Sequence, residues 1–294
     1  MENKIDSLIL GDNQFFGVNH ISEDKGRVLY ERFKDLSEIK KVMYCALDYG
    51  VSGIMFSTHP SIYQITEMMR KDNALRNGFS LYICVPYVLK YVRMVSTMGF
   101  YNTIKAVLEG KSIIDRTKYF LNVGYNIITS DYLGIANRLI DAEINPFYDL
   151  NIKAVFLHNV LTDLSLGYGM TNVMKNFDEY IKRKYGVLPG FITFNYPQLC
   201  GLLSKANIHR SLIMTSVNKK GFLMSPSREA CEEAIRIYPH IVIAMATLAC
   251  GAIGPREAYE YLFSKTNIRH VIVGLSSKEH ADETFGILRG YLNL

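Results

Sequence analysis

The stretch KAVFLHN at 153–159 joins a short, mostly apolar run to a polar end, and the same pattern recurs along the chain. Short continuous apolar runs are typical of strands that are buried on both faces, as in a parallel sheet. The runs lie at 7–11, 53–56, 80–85, 153–157, 190–194, 211–214, 240–245 and 270–273. Helical patterns fill the gaps between them. The sequence therefore predicts an α/β fold in which eight βα units close into a (β/α)8 barrel, the TIM-barrel fold.

Polar residues directly follow most of these runs. Asp12, Asn13 and Gln14 come after the first run, 57–59 (Ser-Thr-His) after the second, and His158 after the fourth. In a (β/α)8 barrel the residues that carry the chemistry collect at the C-terminal ends of the strands. The sequence therefore predicts an active site at that end of the barrel, which we call the barrel mouth.

The length of the chain predicts one domain with an enlarged connection. A (β/α)8 barrel uses about 250 residues, and the chain has 294, so we expect 1–294 to form a single barrel domain. The segment 86–151 between strands three and four is too long for a plain crossover and predicts a mostly helical insertion. Two interpretations stay open for it, a lid over the mouth and a longer outer helical layer. Residues 126–129 are a further candidate strand.

Composition excludes several classes of protein. The hydrophobic fraction of 49% and the charged fraction of 21% are typical of a globular protein in water. The net charge of +5 is spread along the chain, whereas a nucleic-acid partner requires a concentrated basic patch. The longest apolar run, 241–253, is too short to span a membrane, and no secretory signal opens the chain. We expect a cytoplasmic protein with a small-molecule substrate; no pattern indicates an oligomeric state.

Local signals place three helices. Apolar residues repeat at helical spacing over 36–47, with Asp35 as the cap and Gly50 as the stop signal. A proline after Gly254 opens a helix over 256–263, where its missing N–H costs nothing. A capping box formed by Ser276 and Glu279 predicts the start of the last helix.

Three motifs carry a resemblance to a known family. The segment VIVGLSSKEHADE at 271–283 is similar to the final strand and helix of the aldo-keto reductase superfamily. His158 follows a strand that resembles the fourth strand of that family, which ends in the catalytic histidine. The TFN motif at 193–195 resembles its fifth-strand motif. The chain thus resembles a divergent aldo-keto reductase, and the resemblance implies a (β/α)8 barrel that binds NADP or NAD.

The resemblance also implies where the cofactor binds. Asn195 corresponds to the asparagine that contacts the nicotinamide amide, and the glycine- and serine-rich turn after strand eight to the cofactor phosphate site. Exposed N–H groups at a helix N-terminus attract anions, which supports the same location. Residues 218–221 (Asn-Lys-Lys-Gly) after strand six are candidates for further cationic contacts. The predicted cofactor-binding residues are Asn195, Gly251, Gly274, Ser276, Ser277 and Lys278.

The catalytic residues depart from the family pattern. The family uses a tyrosine acid that is supported by a lysine, an aspartate and a histidine. Tyr63 aligns with the tyrosine, but no carboxylate precedes it, and strand three ends at 84–86 (Cys-Val-Pro) in place of the lysine. Lys90 lies beyond that strand end and is not expected to point into the mouth. A tyrosine hydroxyl has a pKa near 10 and needs a neighbouring cation to act as an acid near neutral pH. His158 is therefore the alternative proton donor, with Tyr63 or Asp12 assisting, and Asp12 could replace the missing aspartate.

Roles for the remaining residues at the mouth stay open. As catalytic residues we predict His158, Asp12, Tyr63 and His59, and as substrate-binding residues Asn13, Gln14, Phe16 and Tyr87. The alternative is structural: Asp12 or Asn13 caps a turn, His59 is a plain turn residue, and Ser276 and Glu279 only cap a helix. Asp12, His59 and His158 form an acceptable metal-ligand set, but without HxH or HExxH spacing we predict no metal.

Three functions follow from this pattern. The first is NAD(P)H-dependent reduction of a small carbonyl compound with an altered catalytic tetrad. The second is a lyase, isomerase or hydrolase that acts by proton transfer on a phosphorylated or sugar-like substrate, without a redox step. The third is a non-catalytic scaffold relative, which the density of polar residues at the strand ends disfavours. Loss of turnover in His158→Ala would favour the first function, and loss of a nicotinamide-independent activity in Asp12→Asn the second.

Overall fold

Eight parallel strands form a closed barrel in this computed structural model, which describes residues 5–18, 22–88 and 132–292. Each strand pairs with the next along the chain, and β8 pairs back with β1. The strands are β1 (Leu8–Gly11), β2 (Gly53–Ser57), β3 (Ser80–Val85), β4 (Ile152–Leu157), β5 (Leu188–Thr193), β6 (Leu212–Ser216), β7 (Ile241–Met245) and β8 (His270–Gly274). The predicted (β/α)8 fold is confirmed, and all eight apolar runs correspond to strands.

Strand β6 extends further than its apolar run indicates. Thr215 and Ser216 were expected to follow the strand as a polar cluster, but both pair with neighbouring strands and both are fully buried. Hydrogen bonds of the barrel continue past the last apolar residue, Met214, because the flanking strands β5 and β7 also extend that far.

Helices connect the strands on the outside of the barrel. They are α1 (Glu23–Phe33), α2 (Leu36–Asp48), α3 (Ile62–Arg70), α4 (Asn73–Gly78), α5 (Tyr132–Ile144), α6 (Asn159–Gly167), α7 (Thr171–Tyr185), α8 (Tyr196–Lys205), α9 (Arg228–Ile237), α10 (Pro255–Lys265) and α11 (Lys278–Leu292), with 3-10 helices at Asn13–Phe16, Asn145–Phe147 and Ala249–Gly251. Asp35 caps α2 as predicted, since its side chain accepts a hydrogen bond from the Ser37 N–H. Helix α1, which is mostly polar, has no counterpart in the apolar pattern.

The predicted insertion at 86–151 is helical where the structure describes it. Helix α5 and the turn at Asn145–Phe147 lead from it into β4. Lys90 and the candidate strand at 126–129 lie outside the described residues. The division into one domain with an enlarged connection stays a prediction. Among the described residues, no helix has both the length and the apolar character that a membrane crossing requires.

Apolar side chains fill the inside of the barrel. Met55, Tyr82, Phe156 and Met214 belong to one buried cluster there. Side chains alternate across a strand, so the residues two positions further along each strand face inward one layer closer to the mouth. Those residues are Ser57, Cys84, His158 and Ser216.

Polar groups close the opposite end of the barrel, around Asp6. The Asp6 carboxylate accepts hydrogen bonds from the Tyr82 hydroxyl (2.6 Å) and the Ser52 hydroxyl (2.7 Å) and forms an ion pair with Lys153 (3.0 Å). The imidazole Nδ1 of His270 lies 3.1 Å from the Asp6 carbonyl oxygen. We call this group the Asp6 network; it ties the residue before β1 to β3, β4 and β8.

Candidate active site

Asp12 lies at the mouth directly after β1, and its carboxylate is buried. The oxygen Oδ2 accepts two hydrogen bonds from Ser57 at the end of β2, from the N–H (2.6 Å) and from the hydroxyl (2.7 Å). Asp12 forms no ion pair with any described residue, and its side chain does not cap the following turn. Burial raises the pKa of the Asp12 carboxyl from 3.8 to about 6, and the hydrogen bonds from Ser57 oppose that rise. Asp12 can therefore gain or lose a proton close to neutral pH.

A second buried carboxylate lies beside the ends of β2 and β3. Glu143 of α5 accepts hydrogen bonds from the Thr58 hydroxyl and from the Tyr87 N–H (3.3 Å). Between the two carboxylates lies Cys84, whose thiol has a raised pKa, first because it is buried and then because of the charges of Asp12 and Glu143. The thiol is therefore neutral. The sequence placed Ser57 in the polar cluster after the second apolar run but assigned it no role, and it missed Glu143, which no local spacing marks.

Three predicted residues form an aromatic group at the mouth. Phe16 stacks on the imidazole of His59 with 4.3 Å between ring centroids, and the ring of Tyr87 meets the same imidazole edge-on at 5.2 Å. The imidazole Nδ1 of His59 also accepts a hydrogen bond from the Ser61 N–H (3.2 Å), which orders the turn before α3. The structure thus brings these three predicted residues together, and we call them the aromatic group.

Asn13 and Gln14 differ in their surroundings. Asn13 is exposed, whereas Gln14 is buried and donates a hydrogen bond from Nε2 to the Gly11 carbonyl (2.6 Å). The Gln14 oxygen Oε1 lies where a side chain at Gly274 would begin, 2.9 Å from an added Cβ. Gln14 therefore packs across the pairing of β1 with β8, which explains why glycine occupies position 274.

Tyr63 does not join the other candidates. It lies in the first turn of α3 with 55% of its surface exposed. Its hydroxyl makes no hydrogen bond to any described residue, and no ammonium or carboxylate of the described residues pairs with it. Among the described residues, Tyr63 therefore lacks the supporting lysine and aspartate that the family resemblance implies for a catalytic tyrosine.

His158 occupies a defined position at the end of β4. Its Nδ1 accepts a hydrogen bond from the Val160 N–H (3.2 Å), which caps helix α6. In the neutral ring the proton therefore sits on Nε2. Burial lowers the pKa of the imidazole. His158 is thus a neutral N–H donor at the mouth under ordinary conditions.

The turn after β8 holds three of the predicted cofactor residues. The Ser276 hydroxyl lies 3.0 Å from Nδ1 of His280, while the Ser277 hydroxyl accepts from the His280 N–H (3.3 Å). The predicted capping box with Ser276 is therefore wrong by one residue, because Ser277 makes the bond to the helix backbone. Lys278 is exposed and pairs with Asp282 (3.3 Å), and Arg32 of α1 donates to the Ser276 carbonyl (2.7 Å).

Other predicted cofactor contacts are used within the fold. The Asn195 side chain caps α8, accepting from the Gln198 N–H (3.3 Å) and donating to the Gln198 Oε1 (2.9 Å). Gly251 has a positive φ of 86° in the turn after β7. Asn218 is buried and bonds twice to the Phe222 backbone.

The remaining candidates are a lysine after β6 and a possible set of metal ligands. Lys219, from the segment after β6, pairs with Glu257 (2.7 Å). Within residues 5–18, 22–88 and 132–292, no three His, Cys, Asp or Glu side chains are grouped so that they could hold a metal ion. The arrangement therefore offers a proton-transfer group (Asp12), a neutral N–H donor (His158) and an apolar wall (the aromatic group).

Comparisons with known proteins identify the fold. No family model and no curated protein matches the sequence. A solved structure of a protein assigned as an aldo-keto reductase from Pseudomonas aeruginosa matches 99% of this chain and 94% of its own, with 15% identity and a TM-score of 0.64. One assigned as a 2,5-diketo-D-gluconic acid reductase B gives 12% identity, coverages of 99% and 86%, and a TM-score of 0.58.

A third similar structure is an aldo-keto reductase from a deep-sea metagenome library of the Medee basin. It matches 97% of this chain and 86% of its own, with 13% identity and a TM-score of 0.55. At such low identity the likeness concerns the course of the backbone and leaves individual site residues open. The chain has the (β/α)8 barrel fold of the aldo-keto reductases.

Proposed function

We propose that the barrel mouth catalyses the NAD(P)H-dependent reduction of a small carbonyl compound, with Asp12 in the role that a tyrosine has in the aldo-keto reductases. The observation that carries this proposal is the state of Asp12. It is a buried carboxyl at the strand ends of an aldo-keto-reductase-like barrel, without a cationic partner among the described residues, and with a pKa of about 6. A general acid works best when its pKa lies near the operating pH.

Asp12 is the better proton donor because of its surroundings. Burial favours the neutral, proton-carrying form of its carboxyl. Tyr63, in contrast, is largely exposed and has no neighbouring ammonium among the described residues. The chain therefore supports a reaction in which the proton reaches the substrate oxygen from the β1 side of the mouth.

His158 orients the carbonyl in this proposal. Its Nδ1 is held by the Val160 N–H, so Nε2–H is the group left to donate a hydrogen bond to the substrate oxygen. A neutral donor in a site shielded from water stabilises the negative charge that develops on that oxygen. Asp12 then supplies the proton, and the two residues have separate roles.

The site fits the phosphate end of a dinucleotide better than the nicotinamide end. When bound, the cofactor supplies the hydride. The N-terminus of the long helix α11, the Ser277 cap and the exposed Lys278 suit a phosphate, since such helix ends attract anions. Asn195 is already committed to Gln198 at both ends of its amide, so it does not suit a nicotinamide amide without giving up a helix cap.

The substrate proposed for this mouth is a small molecule with an apolar part. The aromatic group of Phe16, His59 and Tyr87 supports this, because two stacked rings and a third that meets them edge-on offer ring surface at the mouth. We also infer a cytoplasmic location, which the five free cysteine thiols support, since thiols stay reduced there.

A second function is favoured by one observation. The raised pKa of Asp12 prepares it for proton transfer whether or not a nicotinamide is bound, and the Asn195 amide is used within the fold. A lyase, isomerase or hydrolase that acts on a phosphorylated or sugar-like substrate would use the same carboxyl. This alternative predicts turnover without added cofactor.

Thermal unfolding with and without NADPH or NADH tests the redox proposal. At about 100 times the dissociation constant, binding stabilises the fold by about 2.7 kcal/mol, which raises the Tm by several degrees. We expect a rise with one of the two cofactors and none with its adenosine fragment. No rise with either cofactor would overturn the redox proposal and leave the proton-transfer alternative.

Substitution of His158 then tests its role in a screen of carbonyl substrates. We expect His158→Ser to lower kcat about 100-fold, the size of effect found when one oxyanion donor is removed. Serine keeps an oxygen that caps α6, so the fold and the cofactor-induced rise in Tm should persist. A variant with unchanged kcat would contradict the assignment.

A further inference from the structure

The Ser57 hydroxyl and the Asp12 carboxylate form a nucleophile–base pair at the mouth. The hydroxyl donates to Oδ2 of Asp12 at 2.7 Å, and the Ser57 N–H fixes the same oxygen at 2.6 Å. Asp12 is buried, whereas Ser57 is only half-buried and remains accessible. We propose that Ser57 is an acyl-accepting nucleophile activated by Asp12, which gives the barrel a second activity, hydrolysis of small carboxylic esters, that needs no nicotinamide.

Asp12 has the properties that a base for a serine requires. It lies within hydrogen-bond reach of the hydroxyl, which is the geometric sign of an activated nucleophile. Its other oxygen, Oδ1, accepts no hydrogen bond from any other described residue, and no cation of those residues pairs with the carboxylate. A buried carboxylate without a counter-charge is costly to keep ionised. Taking up the Ser57 proton relieves that cost.

Cys84 provides an internal comparison for Ser57. The two residues are paired in register on β2 and β3, and both face the inside of the barrel. The Cys84 thiol has a raised pKa because it is buried near two carboxylates, and it donates no hydrogen bond to either. Ser57 and Cys84 are adjacent and both could act as nucleophiles, but of the two only the Ser57 hydroxyl donates a hydrogen bond to a described carboxylate that can serve as its base. A thiolate at this position is disfavoured by the same charge that activates the hydroxyl.

The reaction balances with water as the only co-reactant. The Ser57 Oγ attacks the ester carbonyl carbon while its proton passes to Asp12. The C–O bond to the alcohol breaks, the alcohol leaves with the proton from Asp12, and an acyl group remains on Ser57. Water then attacks the acyl carbon and gives its proton to Asp12. Collapse of this intermediate releases the carboxylic acid and returns the proton to Ser57, so one ester and one water become one acid and one alcohol.

His158 is the candidate donor for the oxyanion of this reaction. It faces inward at the end of β4, and β3 separates that strand from β2. Neighbouring strands lie about 4.8 Å apart, so the Ser57 and His158 backbones are about 10 Å apart. The proposal places the ester carbonyl between these two side chains. The Nε2–H of His158 is available to donate because Nδ1 of the same ring accepts the hydrogen bond from the Val160 N–H.

Labelling with a biotin-linked fluorophosphonate tests the pair directly. This probe forms a covalent bond to activated serines, so the whole protein is treated with it, without nicotinamide, and the labelled peptide is mapped by mass spectrometry. We expect the label on Ser57. In Asp12→Asn we expect the labelling rate and p-nitrophenyl acetate hydrolysis to fall at least about 100-fold, as on loss of a general base.

A nearby serine supplies the control. Ser61 lies in the same connection after β2 and donates no hydrogen bond from its hydroxyl to a carboxylate of the described residues. Ser61→Ala should label at Ser57 at the wild-type rate, and a thermal unfolding curve should confirm that Asp12→Asn is folded. An unlabelled Ser57 in the wild-type protein overturns the proposal, and so does a folded Asp12→Asn that labels at the wild-type rate. Neither result depends on nicotinamide binding, so the reductase proposal stands or fails separately.

Discussion

Two aspartates flank the first strand, and their surroundings differ. Asp6, before β1, has a hydrogen bond from Tyr82, another from Ser52 and an ion pair with Lys153. Asp12, after β1, has hydrogen bonds from one other described residue, Ser57, and both reach the same carboxylate oxygen. Both carboxylates are removed from water, so their different partners indicate different purposes.

The difference separates a structural carboxylate from a reactive one. A buried charge is tolerated when its hydrogen-bonding capacity is satisfied. The Asp6 network satisfies it at the N-terminal end of the strands, the end of a (β/α)8 barrel whose residues serve mainly stability. Asp12 has no ion pair with any residue that the structure describes, and it lies at the end where barrel enzymes do their chemistry. We therefore expect substitutions of Asp6 to lower stability, and substitutions of Asp12 to lower activity while leaving or raising stability.

The largest change in stability is expected for Asp6→Ala. This substitution leaves Lys153, the Tyr82 hydroxyl and the Ser52 hydroxyl without their shared acceptor. Removing one partner of a buried ion pair costs about 3–5 kcal/mol, and because Lys153 is partly exposed we expect about 3 kcal/mol. Urea unfolding at pH 7 measures the loss. A change below about 1 kcal/mol would show that the network is replaceable by water.

Asp12→Asn is expected to raise the free energy of unfolding, whereas Asp6→Ala lowers it. The folded-state pKa of Asp12 is raised from 3.8 to about 6, so the folded protein holds this proton more tightly than the unfolded chain. At about pH 3 both states are protonated, and Asp12 makes little difference. As the pH rises from about 3 to 6, the ionised carboxylate destabilises the fold by up to about 3 kcal/mol, a cost that persists at higher pH.

Urea unfolding of wild type and Asp12→Asn at about pH 3 and at about pH 8 measures this effect. We expect the variant to be the more stable protein at the higher pH, by up to about 3 kcal/mol, and close to wild type at the lower pH. A variant that is less stable at pH 8 would mean that the Ser57 hydrogen bonds outweigh the burial of the charge.

Smaller losses of stability are expected when alanine replaces Gly53 or Gly274, which lie at opposite ends of the barrel. A Cβ at Gly53 would lie 2.9 Å from Ile9 and 3.1 Å from the Asp6 Cβ, inside the packed end of the barrel. A Cβ at Gly274 would meet only the Gln14 amide, at 2.9 Å. Overpacking typically lowers stability by about 1–3 kcal/mol. We therefore expect the free energy of unfolding to fall by about 2 kcal/mol for Gly53→Ala and by about 1 kcal/mol for Gly274→Ala.

A double variant makes the glycine comparison specific. Gln14→Ala removes the group that a Cβ at position 274 would meet, so Gly274→Ala should cost less stability in that background. No such partner can be removed for Gly53, where the contacts come from Ile9, Asp6 and Tyr82 together. Equal costs for Gly274→Ala in both backgrounds would show that the strain comes from elsewhere.

The strands could be predicted because their signal is local. Each apolar run is a few residues long, and burial on both faces of a parallel strand determines its composition. Helix α1 lacked such a signal, since Gly26 and Phe33 are its only buried residues. The cap of α11 was misplaced by one residue because Ser276 and Ser277 are chemically identical, and only the geometry of the turn distinguishes them.

The candidate site was predicted only in part because its partners are distant in sequence. Asp12 follows from its place at a strand end, but Ser57 reaches it through the alignment of β1 with β2, which no local pattern encodes. Glu143 comes from the helix before β4, in a segment for which the sequence predicted a helical insertion but no site residue of α5. The structure gathers Phe16, His59 and Tyr87, and leaves Tyr63 apart.

The pairing of β1 with β8 has a consequence for synthesis of the chain. As the chain emerges from the ribosome, β1 gains β2 as a neighbour early, while its other edge waits for residues His270–Gly274. The hydrogen bonds between His270 and Asp6 and between Arg32 and Ser276 flank that last junction. An unpaired edge strand templates association between chains. The nascent barrel therefore carries an open β1 edge while β2 to β7 are synthesised, and its yield should depend on chaperones that shield β1 until β8 arrives.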